Sequence, residues 1–136
     1  MTRKTKPPHD VLLGVWHKRV LYAAVLALWL TGVLWLLKAS WQPLVMRIHG
    51  AAAMAFLLAF GALLVRHVPL GWQRERQRPS GGFLITLSAV LVVTGWGLYY
   101  EVDRGLRDWT GKIHWVIGLL FPLFIILHII LGRRDS

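Results

Sequence analysis

The chain has 136 residues, 56% of them hydrophobic, with a mean hydropathy of +0.53 and a formal charge of +10. It is more apolar than a water-soluble domain, in which about 45–50% is usual, and this points to a membrane bundle. It contains no cysteine, which excludes disulfides, cysteine-held iron–sulfur clusters and the covalent attachment of c-type haem.

Residues 1–10 form a basic tail closed by Pro7-Pro8, and Asp10 suits the N-cap of a helix beginning at Val11. The first span is expected over Trp16–Leu37, where Lys18 and Arg19 can reach the headgroups while their stems stay in apolar surroundings. It is too long for the apolar core of a signal peptide and is expected to remain as a span. A second span, Pro43–Val65, takes Pro43 in its first turn, where the missing N–H matters little. It is expected to end near Arg66-His67, before Pro69, and Trp72–Gly82 reads as a polar loop. The third span, Gly82–Tyr100, has no histidine, and Glu101–Gly111 reads as the next loop. The fourth, Lys112–Leu131, carries Pro122, where a kink is expected. Each span is near the roughly 20 residues needed to cross a bilayer. The expectation is an all-α, four-helix transmembrane bundle, a single domain using nearly the whole of residues 1–136.

With four spans, the N-terminal region, the middle loop and the C-terminus share one side. That side holds eleven basic residues (Arg3, Lys4, Lys6, Lys18, Arg19, Arg66, Arg74, Arg76, Arg78, Arg133 and Arg134) against five on the other. The positive-inside rule then places both termini in the cytoplasm. The charge therefore reads as topology and attraction to anionic lipid, not as nucleic-acid binding. Trp16, Trp41, Trp72 and Trp109 fall near the expected interfaces, as aromatic anchors do.

Histidine is the informative residue. His114 and His128 lie in one apolar segment, fourteen residues apart. That is close to four helical turns, so they share a face and stand about 21 Å apart along the axis. Polar side chains at such depths are costly and mark function. Two levels suggest two stacked haems, each held non-covalently by imidazoles from different helices at one depth. His49, early in the second span, and His114 form the outer pair. His128 sits in the inner leaflet, where His17 is the favoured partner. His67 is the alternative, but it lies eighteen residues after His49, about 27 Å along the axis, which overshoots the spacing on the fourth helix. Arg47 outside, and Arg19 or Arg133 inside, are candidates to pair with haem propionates. Gly32 and Gly118 would permit close helix packing and clearance for a haem edge.

The residues just named carry a resemblance. Trp16-His17 followed by Thr31-Gly32, His49-Gly50 on the second helix, and His114 with His128 on the fourth are similar to the membrane dihaem cytochrome b subunits of formate dehydrogenases and nickel–iron hydrogenases. In that family the fourth helix supplies one ligand to each haem, the second completes the outer site and the first the inner, as depth alone had ranked them. The resemblance implies a bacterial inner-membrane protein that moves electrons between a quinone pool and a periplasmic or membrane redox partner, as a subunit of a larger complex. This chain is compact, with a short outer loop, which points to a smaller branch serving a different partner. A quinone is expected at the cytoplasmic end, near Arg66, His67 and Gln73. The competing reading is a haem-free scaffold or assembly subunit in which the histidines only bridge helices. A proton or metal carrier would want carboxylates within the spans, and there are none.

Overall fold

In the computed structural model, residues 8–37, 41–73, 78–100 and 103–134 are described. They form four helices: α1 (Pro8–Leu36), α2 (Gln42–Gln73), α3 (Arg78–Tyr100) and α4 (Arg104–Arg134). All four are long and apolar enough to cross a membrane. The surface explains the solvent. Leu26, Leu58, Val65, Val93, Trp96 and Leu123 are all exposed; a patch of that extent would drive aggregation in water and is ordinary against lipid.

The helices run further than the apolar spans. α1 begins at Pro8, so Asp10 lies inside its first turn instead of capping it; proline is at home there because its φ is already helical. α2 continues through Pro69 to Gln73, past its expected end. Proline removes one hydrogen bond and crowds the preceding turn, but only the last few residues follow it, so the helix tolerates the loss. α4 starts at Arg104, eight residues before its expected start at Lys112. Asp103 accounts for that early start: its carboxylate accepts the Leu106 N–H at 2.8 Å, and its carbonyl accepts the Arg107 N–H at 3.0 Å. This is an N-cap, with the negative charge at the positive end of the helix dipole. The expected loop over residues 101–111 is therefore mostly helix.

α1 packs along α2 and α4, and α4 packs along α3. A cluster of Ala24, Val25, Phe56 and Phe121 forms the buried core, with the Phe56 and Phe121 rings edge to face at 6.1 Å. The Trp29 indole N–H donates to the Leu119 carbonyl at 3.2 Å, tying α1 to α4. The α3–α4 seam is lined with small residues. A Cβ added to Gly97 would meet Thr110, one on Gly111 would meet Leu98, and one on Gly118 would meet Leu91, at 3.5–3.8 Å. Ser88 is fully buried on α3. Small residues let two backbones approach closely, which is how helices associate when both sides of the choice are apolar.

Candidate functional site

At the end of the bundle opposite the termini, α2 and α4 bring His49 and His114 together. Their ring centroids are 6.2 Å apart and their planes meet at 65°. Each ring is half-buried and held through Nδ1 by a threonine from another helix. Thr31 Oγ1 on α1 stands 2.7 Å from His49 Nδ1, and Thr94 Oγ1 on α3 stands 2.9 Å from His114 Nδ1. The four helices thus each give one side chain to one polar cluster, and Nε2 is the nitrogen that remains on each ring for a metal.

One helical level below this cluster lies an aromatic layer. Phe121 follows His114 by two turns, and Phe56 follows His49 by the same interval. Two turns further along α4 is His128, whose Nδ1 lies 2.9 Å from Ser80 Oγ on α3. His17 lies on α1, half-buried, in the wall of a cleft of about 350 Å³ with Trp16, Val20, Ala55, Leu58 and Ala59. The cleft exists because α2 presents the short side chains of Ala55 and Ala59 towards α1. The side chains of Arg66, His67, Gln73 and Arg133 lie outside the described residues.

The remaining candidates have plain surroundings. Arg47 is exposed two residues before His49. Arg19 is exposed, with its guanidinium carbon 5.8 Å from the centre of the Trp16 ring. A Cβ on Gly32 would meet nothing within 4 Å, whereas one on Gly118 would contact Leu91 at 3.8 Å.

Two tests bear on which cofactor this site could hold. An imidazole nitrogen binds a metal at about 2 Å, so two imidazoles sharing one ion stand with ring centroids roughly 6 Å apart. The observed 6.2 Å meets that requirement. Among the described residues, no group of three or more His, Asp or Glu side chains could enclose a bare metal ion. Two imidazoles complete a coordination sphere when a cofactor supplies the other ligands, as the four nitrogens of a haem macrocycle do. The residues fit that group.

A family model described as prokaryotic cytochrome b561 matches residues 1–134. The chain belongs to this family. Membership carries b-type haem and electron transfer in a bacterial membrane, and the four spans agree with it. No curated protein and no solved structure matches the chain.

Within this cytochrome b561-family fold, the sequence reading overlooked α3. That helix has no histidine, yet Thr94 and Ser80 meet the two histidines of α4. A signal was present. Thr31-Gly32, Ser80-Gly81 and Thr94-Gly95 are all a hydroxyl residue followed by glycine, and Ser80 and Thr94 repeat the fourteen-residue interval of His114 and His128.

Proposed function

We propose that the chain is a dihaem b-type cytochrome that carries electrons across the membrane between a quinone pool and a partner redox protein, as a subunit of a larger complex. His49 and His114 would hold the haem at the level opposite the termini. His128 would hold the other, with His17 as its partner and His67 as the alternative. The observation that carries this reading is the 6.2 Å approach of the His49 and His114 rings from two different helices. Support for the second level comes from the fourteen-residue interval between His114 and His128 on α4.

Haem iron with both axial positions filled by imidazole exchanges electrons and leaves no open position for oxygen or substrate. The protein's own contribution is placement. α4 sets the two levels about 21 Å apart, fourteen residues at 1.5 Å each. Phe56 and Phe121 fill the level between them and keep water out of the bundle centre. The basic bias of the termini and middle loop supports a cytoplasmic placement for that end. A quinone beside Arg66, His67 and Gln73 would then be served by the haem at His128.

The test is a haem count on the purified chain. The proposal expects two b-type haems per polypeptide, with sharp reduced-minus-oxidised bands. A folded, colourless preparation would support the scaffold reading instead.

A further inference from the structure

We infer that Thr31 on α1 and Thr94 on α3 are positioning residues that fix the tautomer of His49 and His114. The inference rests on the haem reading above and deepens it. A threonine hydroxyl has one proton to give. Thr31 Oγ1 lies 2.7 Å from the Ala27 carbonyl and 3.0 Å from that of Leu28. Thr94 Oγ1 lies 2.7 Å from the Val90 carbonyl and 3.3 Å from that of Leu91. Carbonyl oxygens only accept, so each hydroxyl donates its proton into its own helix, as mid-helix threonines do. Its remaining lone pairs then face the histidine, and Nδ1 must be the nitrogen that carries hydrogen. With Nδ1–H donating to an acceptor, the neutral ring keeps its lone pair on Nε2, the form a metal needs. Partners of this kind orient metal-bound histidines and raise their basicity.

α3 sets a hydroxyl against a histidine of α4 at both levels. From Thr94 to Ser80 is fourteen residues back along α3, and from His114 to His128 is fourteen forward along α4, so one antiparallel register makes both contacts. The glycine after Thr94 clears the His114 ring, while the one after Ser80 lies at ordinary contact range of His128. A Cβ on Gly95 would come within 3.2 Å of His114 Cε1, and one on Gly81 within 3.8 Å of His128 Cε1. At the His114 level α3 thus presents acceptor and clearance together.

The experiment compares Thr94→Val, Thr94→Ser and Thr86→Val in the full chain. Valine keeps the shape of threonine and removes the hydroxyl; serine restores the hydroxyl. Thr86 is the control because it donates to the Gly82 carbonyl in the same way from an exposed position on α3. The readouts are the rate of haem loss to a soluble haem acceptor, and the midpoint potential of the affected haem. Thr94→Val should weaken haem retention about 10- to 100-fold, the usual cost of losing such a partner. It should also move the potential upward, because a less basic imidazole favours the ferric state less. Serine should restore both, and Thr86→Val should change neither. A Thr94→Val protein with haem retention within twofold of the parent and an unmoved potential would overturn the inference. If His114→Ala lost its haem in the same preparations, the haem reading would still stand. If the parent chain held no haem at all, that reading itself would fail.

Discussion

Gly95→Ala places the tightest measurable demand on the candidate site. The new methyl would stand 3.2 Å from His114 Cε1 and 3.7 Å from its Nδ1. The first distance is shorter than ordinary carbon–carbon contact, so the ring or the helix must yield by a few tenths of an ångström. The yielding group is an imidazole whose Nδ1 is already held at 2.9 Å by Thr94. Overpacking of this kind costs about 1–3 kcal/mol. Against it stands the helix preference for alanine over glycine, worth about 1 kcal/mol. The two terms act on different observables. Overall thermal stability of the haem-free chain should change little, while haem retention at the His49–His114 level should fall about 5- to 100-fold, at 1.4 kcal/mol per decade. Gly97→Ala is the control, since its methyl meets Thr110 at an ordinary 3.5 Å. The assay is haem titration of both variants followed by thermal unfolding. A Gly95→Ala chain that binds haem as tightly as Gly97→Ala would refute the packing argument.

Other outcomes follow from the same structure. His128→Ala should remove one haem and leave the other; comparing His17→Ala with His67→Ala by haem count then names its partner, and no loss in either variant would dismiss both. Phe121→Ala should destabilise the bundle by about 3–5 kcal/mol, seen as a lower unfolding temperature in detergent, because it empties the core contact with Phe56; a change under 1 kcal/mol would contradict the core assignment. Asp103→Ala should cost about 0.5–2 kcal/mol through loss of the cap on α4, with haem content and potential unchanged. A loss of haem in that variant would mean the cap also sets the His114 level.

Much of this was legible from hydropathy. Four apolar runs, each long enough to cross a bilayer, specify four helices, and the fold brings the His49 and His114 rings within 6.2 Å of each other. What hydropathy could not supply is what happens outside the apolar windows. Helix continues through Pro69, and it begins at Arg104 because the Asp103 cap stabilises a turn that composition marks as loop. The polar partners of the histidines were harder still. Thr31, Thr94 and Ser80 are residue types found throughout membrane helices, and nothing in a single position distinguishes a hydroxyl that meets a histidine from Thr86, which does not. Only the register of α1 against α2, and of α3 against α4, reveals the pairing. The α3–α4 register is set by small residues packing side by side, a three-dimensional fact. The glycines show the same limit: Gly32 and Gly118 drew notice in the sequence, while Gly95 and Gly81 are the ones that face a histidine ring, Gly95 the more tightly.

The central claim is that His49 and His114 grip one iron between them. Haem content of the parent chain, His49→Ala, His114→Ala and the double variant tests it most directly. A shared iron predicts that each single variant loses the same haem, about half the total, and that the double variant loses no more than either. Additive losses, or retention of both haems in either single variant, would contradict it.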